Sequence, residues 1–202
     1  MNHAIAATAD NFIAHTVLGF ARSRRGETDL AFASYREAIR IKPTYGVAHE
    51  NLGSVLLSLG RTKEAIEQFE RAVSLQPRAA RTRNNLAVAC LEAGQFDNAV
   101  EHGRDAVERD PHNSEYRYNL ARAHSAKLEF GPAIEQFEAA LRLQPNRAEA
   151  HAHLGVALAA QDRMTEAVGH FRSALELKPD YAFARQCLDL ALNGQQDGSP
   201  AK

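Results

Sequence analysis

The chain has 202 residues, a formal net charge of −1, 45% hydrophobic residues and 24% charged residues. This composition is typical of a globular protein with one large domain or two small ones. The near-neutral charge and the absence of Trp argue against nucleic-acid binding, which needs clustered cations and stacking rings. No apolar run approaches the ~20 residues of a membrane-spanning helix, so no direct membrane insertion is predicted.

The cysteine content bears on the compartment. Cys90 and Cys187 are too few and too far apart in sequence for a disulfide framework, so both are predicted to be reduced thiols. Reduced thiols fit a cytoplasmic protein. A periplasmic location, or membership of a membrane-anchored protein, is also compatible with them.

The sequence repeats every 34 residues, and prolines mark the period at Pro43, Pro77, Pro111, Pro145 and Pro179. We number each repeat so that this proline is position 32. The predicted repeats are then 12–45, 46–79, 80–113, 114–147 and 148–181. Position 7 is Leu in every repeat, position 8 is Gly or Ala, and positions 20 and 27 are always Ala.

This pattern predicts a pair of helices in each repeat. Positions 4, 7, 8 and 11 have helical spacing and form the core face of a helix A, while positions 20, 24 and 27 form the facing side of a helix B. Small residues let the two backbones approach, and aromatic rings at position 24 fill the remaining space. Gly26, Gly60 and Gly94 are placed to end helix A in a left-handed conformation, and the proline ends helix B.

These positions closely resemble those of the tetratricopeptide repeat, a 34-residue helix–turn–helix. The resemblance covers residues 12–181 and implies an all-α, right-handed solenoid, but it implies little about function because the fold hosts many. The family's Trp at position 4 is replaced by His or Arg in all five repeats. Repeat 3 has Gly103 in place of the aromatic at position 24, so we expect its helix B to open most easily in hydrogen exchange.

The two ends depart from the repeat. Residues 182–193 are predicted to form a capping helix ended by Gly194, and residues 194–202 a disordered tail. Residues 1–11 align with the end of a helix B and are predicted to be a half-repeat. Either this segment is a degenerate half-repeat or the chain is a fragment of a longer protein. The segment also resembles the junction before C-terminal repeat arrays of polytopic membrane glycosyltransferases.

Asn51, Asn85 and Asn119 all occupy position 6, where an amide is unfavourable for a helix. On a helix, position 6 lies with positions 2, 9 and 13, away from the core face, so in the solenoid it would face the concave groove. An amide offers donors and an acceptor that match an extended backbone. The arrangement is similar to the asparagine ladder of protein O-GlcNAc transferase repeats, which implies peptide binding, and His153 is a partial substitute in repeat 5. Alternatively, the amides are solvated or bridge neighbouring A helices.

Other side chains in the predicted groove would supply selectivity: Glu50, Arg81, Asn84, Tyr118 and Arg122. The groove therefore mixes both charges with polar and aromatic groups. One subset of the family grips the C-terminal carboxylate of heat-shock chaperones with Lys and Asn at positions 5 and 9. Thr16 and Phe20 stand there in this chain, so that class of partner is not predicted.

No constellation of catalytic residues is found. His151 and His153 are two residues apart and point in different directions on a helix, and "HENLG" at His49 lacks the second histidine of a zinc-protease motif. We predict no catalytic residue, no metal site and no cofactor. The predicted function is a non-catalytic scaffold that binds a protein or an extended peptide. Two alternatives stay open: a substrate-presenting segment of a larger glycosyltransferase, and a structural scaffold that forms homo-oligomers through its apolar N-terminal end.

Overall fold

The computed structural model describes residues 11–197, and within this range every regular element is an α-helix. The A helices begin at the first residue of each predicted repeat, each is followed by a helix B, and one further helix follows the last repeat. None of the helices in the described range is both long and apolar enough to cross a membrane. Between residues 11 and 197 there are eleven helices: α1 (Phe12–Arg24), α2 (Thr28–Ile41), α3 (Gly46–Ser58), α4 (Thr62–Leu75), α5 (Ala80–Glu92), α6 (Phe96–Arg109), α7 (Ser114–Ala126), α8 (Phe130–Leu143), α9 (Ala148–Ala159), α10 (Met164–Leu177) and α11 (Ala182–Asp197).

Each A helix ends in a left-handed residue, as the turn glycines predict. Gly26, Gly60 and Gly94 have φ values of 74°, 71° and 74°. Repeats 4 and 5 lack the glycine, yet Leu128 and Asp162 adopt the same conformation with φ values of 61° and 59°. The turn geometry is therefore kept in all five repeats, at a conformational cost where the residue has a side chain.

The two helices of a repeat approach closely because small residues line their contact. The alanines at positions 20 and 27 are fully buried in every repeat. The ring at position 24 lies directly over the residue at position 8: a Cβ atom added to Gly53 would sit 2.8 Å from the Phe69 ring. Gly19 and Gly155 have the same relationship to Tyr35 and Phe171. At these three glycines the ring occupies the volume that a methyl group would need, whereas repeat 4 accommodates Ala121 opposite Phe137.

The chain divides into two compact units, the first ending at Gln95 and the second beginning at Phe96. The boundary lies inside repeat 3, between its A helix α5 and its B helix α6, although residues 80–113 were predicted as one repeat. In each unit taken by itself, successive A helices approach each other more closely than successive B helices do. The A helices thus line the more tightly spaced side of each unit.

The C-terminal helix differs from its prediction in length. α11 continues through Gly194 to Asp197, so the prediction that Gly194 ends it was wrong. A glycine inside a helix costs only about 1 kcal/mol, which the neighbouring residues can offset. Leu188 and Leu192 pack against the core of the second unit, as expected for a cap. Residues 1–10 of the predicted half-repeat and residues 198–202 of the predicted tail lie outside the described range.

Candidate functional site

Each A helix leaves one narrow face open to solvent. Positions 2, 6, 9 and 13 lie on this face, and we name these positions the exposed stripe. All of its members on α3, α5, α7 and α9 are exposed or half-buried, except Asn119. They are Val47, Asn51, Ser54, Ser58, Arg81, Asn85, Val88, Glu92, Glu115, Asn119, Arg122, Ala126, Glu149, His153, Val156 and Ala160.

The three asparagines at position 6 have different surroundings. The Asn51 side chain is half-buried, and within residues 11–197 the structure gives it no hydrogen bond. Asn85 is also half-buried and donates a long 3.3 Å hydrogen bond from Nδ2 to Oε1 of Glu50. Asn119 is only 5% exposed, and its Nδ2 donates to Oε1 of Glu115 at 3.3 Å. Asn51 and Asn85 therefore present amide groups to solvent, whereas Asn119 mainly supports its own helix.

Position 5 lies at the boundary between adjacent A helices, and not on the surface where the sequence placed it. Glu50, Asn84 and Tyr118 are all buried, so their predicted placement on the groove surface needs correction. Position 5 is about 70° from the centre of the exposed stripe at ~100° per residue, which turns it toward the next A helix.

The contacts of Glu50 show this directly. Its carboxylate is 4% exposed and accepts hydrogen bonds from Nε of Arg81 at 2.6 Å and from the Thr82 hydroxyl at 2.9 Å. It also accepts the bond from Asn85 described above. Glu50 thus joins α3 to α5 and holds the exposed Arg81 in place.

In the second unit, rings and guanidinium groups meet beside the exposed stripe. The guanidinium carbon of Arg147 lies 3.7 Å from the centre of the Tyr118 ring, and that of Arg122 lies 5.8 Å from it. The His153 ring centre is 6.0 Å from that of Tyr118 and 5.4 Å from that of Phe183. Burial lowers the pKa of His153, and the positive charge of Arg122 lowers it further. His153 is therefore neutral at pH 7 and offers one donor and one acceptor, as an amide would.

The residues that replace the family's Trp at position 4 form a recurrent joint. In repeats 2 to 5, each one donates a hydrogen bond to the carbonyl oxygen of the proline at position 32 of the preceding repeat. The distances are 3.0 Å from His49 Nε2 to Pro43, 3.3 Å from Arg83 Nε to Pro77, 2.9 Å from Arg117 Nε to Pro111 and 3.0 Å from His151 Nε2 to Pro145; Arg185 of α11 contacts Pro179 in the same way. These residues have a structural role. All of them carry side-chain N–H groups, a shared property that is visible in the sequence but that helical periodicity alone does not explain.

Most of these residues also contact position 23 of their own helix B. His49 Nδ1 lies 2.9 Å from the Gln68 side chain, and Arg117 donates to Gln136 at 3.0 Å. In repeat 5 the partner is a second histidine, with His151 Nδ1 lying 3.0 Å from His170 Nδ1. The ring centres are 5.3 Å apart, so both nitrogens lie near the line between the rings. This geometry fits one hydrogen bond between the two rings, because two ligands of one metal ion would have to converge on a point beside that line.

The possible metal ligands and the two cysteines of residues 11–197 are the remaining groups to consider. In the described part of the chain, no three His, Cys, Asp or Glu side chains are grouped so as to hold a metal ion. Burial raises the pKa of the Cys90 thiol to about 11, and burial also raises that of Cys187. Both thiols are therefore protonated at neutral pH and are poor nucleophiles.

Comparisons with known proteins agree with this architecture. A search of curated proteins finds no match. Three solved structures illustrate the fold: YrrB, described as a TPR protein with an unusual peptide-binding site (TM-score 0.78, 22% identity, covering 93% of this chain and 97% of that one); MamA from residue 41 to its end, from Desulfovibrio magneticus RS-1 (0.77, 22%, 85% and 97%); and a chain of the APC/C hetero-tetramer Cut9–Hcn1 (0.81, 20%, 95% and 38%). The family model of the tetratricopeptide repeat matches residues 50–114 and 117–182, well over half of the sequence. The chain therefore belongs to the tetratricopeptide repeat family.

Proposed function

We propose that this protein is a non-catalytic interaction module whose exposed stripes bind an extended segment of a partner protein. The observation that carries the proposal is Asn51, a half-buried amide on the exposed stripe with no hydrogen bond inside the described range. An amide that has lost part of its water without gaining a partner is poised to bind one, because the bond then costs little further desolvation.

Asn85 extends the same chemistry to the next A helix. Its bond to Glu50 uses one Nδ2 hydrogen and leaves the other hydrogen and Oδ1 available. Packed helices lie about 8–10 Å apart, and an extended chain rises about 3.3 Å per residue. Asn51 and Asn85 would therefore contact backbone groups about three residues apart on one bound segment.

The second unit offers a related set of groups. His153 takes position 6 and, as a neutral imidazole, would bond backbone groups as Asn51 does. We propose that Arg81 in the first unit and Arg122 in the second select among segments by charge, while Glu50, Asn84, Tyr118 and Asn119 hold the surface in shape. The similar fold of YrrB, which is described as having a peptide-binding site, supports this proposal by analogy.

Selection from a random peptide library displayed on phage, with the full chain as bait, tests the function. The affinity of a selected peptide is then measured for the wild type, for Asn51→Ala/Asn85→Ala and for Asn146→Ala, an exposed loop asparagine that serves as the control. We expect the double variant to bind at least about tenfold more weakly, which corresponds to about one lost hydrogen bond, and to keep its helical signal. No selected peptide, or an unchanged affinity of the double variant, would refute the proposal.

One observation favours self-assembly as a second function. Ile13, Val17 and Phe20 on α1 are 53%, 54% and 57% exposed and form a continuous apolar stripe. We propose that this stripe pairs with that of a second copy. Light scattering over a range of concentrations should show a dimer that Phe20→Ser abolishes; a wild-type monomer at every concentration would exclude it. The alternative that the chain is a substrate-presenting segment of a larger glycosyltransferase stays a prediction.

A further inference from the structure

One positive charge on the exposed stripe of the second unit has no carboxylate partner. Arg147 donates to Glu115 at 2.6 Å, and Lys178 lies 3.9 Å from Glu149. Arg122, by contrast, only contacts the Tyr118 ring, and no ion pair is found for it among residues 11–197. Arg122 is a half-buried residue, so an incoming carboxylate would gain more there than at a fully solvated cation.

The field of Arg122 reaches the neighbouring A helix. Its charge is the second cause, after burial, of the lowered pKa of His153 on α9. The charge of Arg122 therefore contributes a positive potential at the His153 ring, which the charge of Glu149 opposes in part. An anionic group bound there would be stabilised by that potential.

Apolar surface begins where this positive region ends. The Phe183 ring on α11 is 38% exposed and lies 5.4 Å from the His153 ring. Leu190, two turns further along α11, is also exposed. A cation, a neutral imidazole and an exposed aromatic ring thus follow one another across α7, α9 and α11.

We propose that Arg122, His153 and Phe183 form a subsite for an extended peptide that carries an acidic side chain and a large apolar side chain. The inference rests on the proposed function and names the chemistry of its ligand. The acidic group pairs with Arg122, the apolar group packs on Phe183, and His153 bonds the backbone between them. At about 3.3 Å per residue, the two side chains lie about three to five residues apart on the peptide.

The charges around the subsite favour a peptide over a polyanion. Glu115 and Glu149 occupy position 2 of α7 and α9 on the same stripe. A nucleic acid would bring a phosphate to every nucleotide and would be repelled by these carboxylates. A peptide places a single carboxylate at Arg122 and leaves neutral groups elsewhere.

An array of acetylated and amidated dodecapeptides tests the ligand chemistry. Each peptide carries one Glu and one Leu or Phe, one to six residues apart and in either order, on a Ser/Thr/Ala background. Matched series carry Gln or Lys in place of Glu. Binding to the full chain is measured by fluorescence anisotropy. We expect an optimum at a separation of about three to five residues and at least about tenfold weaker binding of the Gln analogue.

Variants of the full chain locate the subsite. The Arg122→Glu variant should no longer bind the Glu peptide and should instead bind the Lys peptide. The Phe183→Ser change should weaken the binding of both peptides. Arg172→Glu, an equal charge change on the exposed face of α10, should alter affinity by no more than about twofold, as expected for a distant screened charge. Circular dichroism checks that Arg122→Glu stays folded.

The outcomes separate this inference from the broader function. Peptides that bind with no preference for Glu, or a preference that survives Arg122→Glu, would overturn the subsite and leave peptide binding intact. A requirement for a free C-terminal carboxylate would also overturn it. If neither the array nor the random library yields a binding peptide, the proposed function fails together with the subsite.

Discussion

The Nδ1 atoms of His151 and His170 lie 3.0 Å apart, within hydrogen-bond distance. The nitrogen of His151 that faces the Pro145 carbonyl must carry a hydrogen, so its Nδ1 accepts from His170 when both rings are neutral. Repeats 2 and 4 place glutamine at the position of His170. Repeat 5 alone has two imidazoles in this joint, and protonation of both rings would set two cations side by side and remove the acceptor at His151 Nδ1.

This pair predicts that stability falls in mild acid. Burial, and then the charge of His151, lower the pKa of His170 below its ordinary value of 6.5. The folded state therefore binds fewer protons than the unfolded state near pH 6, and the free energy of unfolding rises with pH there. The stabilisation is fully present above about pH 6.5 and is lost as the pH falls through the lowered pKa of the folded state. Urea unfolding at about pH 5.5 and about pH 7.5 measures it.

The control comes from the chain itself. His170→Gln recreates the pairing seen at Gln136 and should flatten the pH dependence, although His153, whose pKa is also lowered, retains part of it. An equally steep pH dependence in His170→Gln would show that the pair is not its source.

The contact between Gly53 and the Phe69 ring predicts an intolerance to alanine. Gly53→Ala should destabilise the protein by about 1–3 kcal/mol, because a Cβ at 2.8 Å from the ring forces the helices apart. Gly169 is a helical glycine with no neighbour near its Cβ position, so Gly169→Ala should instead stabilise by about 0.5–1 kcal/mol. Thermal unfolding of both variants checks that the two changes in stability have opposite signs. Greater stability of both variants would mean that the higher helix propensity of alanine outweighs the clash at Gly53.

Leu128 carries strain that a smaller residue would relieve. Its φ of 61° is unfavourable for a residue with a side chain, and the side chain itself is largely exposed. Leu128→Gly should raise the free energy of unfolding by about 1 kcal/mol, since glycine enters this region without penalty. Leu128→Ala keeps a Cβ and should give no such gain. Equal unfolding midpoints for the two variants would assign the effect to lost surface contacts.

The Glu50 carboxylate predicts a coupling between α3 and α5. Glu50→Ala should cost about 2 kcal/mol, because the fully buried Thr82 hydroxyl loses its acceptor. Adding Thr82→Val should recover part of that loss, since no buried hydroxyl then lacks a partner. Chemical denaturation of the two single variants and the double variant measures the coupling. Strictly additive losses would argue that the contact contributes little.

Hydrogen exchange tests the weakness expected in repeat 3. Phe69 and Phe137 are almost fully buried on α4 and α8, whereas Gly103 supplies no ring at the same position of α6. Backbone amides of α6 should therefore exchange faster than those of α4 and α8 under native conditions. Slower exchange in α6 than in both of these helices would contradict the prediction.

The sequence predicts the fold well because five copies of the repeat show the same residue types at the core positions, so one irregular residue does not obscure the pattern. The alanines at positions 20 and 27 and the glycine or alanine at position 8 recur at one spacing, because close packing leaves room only for small residues there. The turn at Leu128 shows the same effect. Its residue type gives no hint of a left-handed conformation, yet the period places one there.

The candidate site was harder to predict because it depends on angles between helices. A helical wheel places Glu50 and Tyr118 between two faces and does not say which neighbour approaches them. His151 and His170 are 19 residues apart and meet only through the packing of α9 on α10. The unit boundary inside repeat 3 follows from contacts between elements, which no single-residue pattern records.

The joint at position 4 uses a main-chain oxygen as its acceptor. A backbone carbonyl is present whatever side chain a residue carries, so substitutions in the preceding repeat leave the acceptor in place. Histidine and arginine both satisfy it, since either can donate an N–H from a similar reach. A change in the order of the repeats should therefore keep this joint, whereas contacts between particular side chains, such as that of Glu50 with Thr82, would be lost.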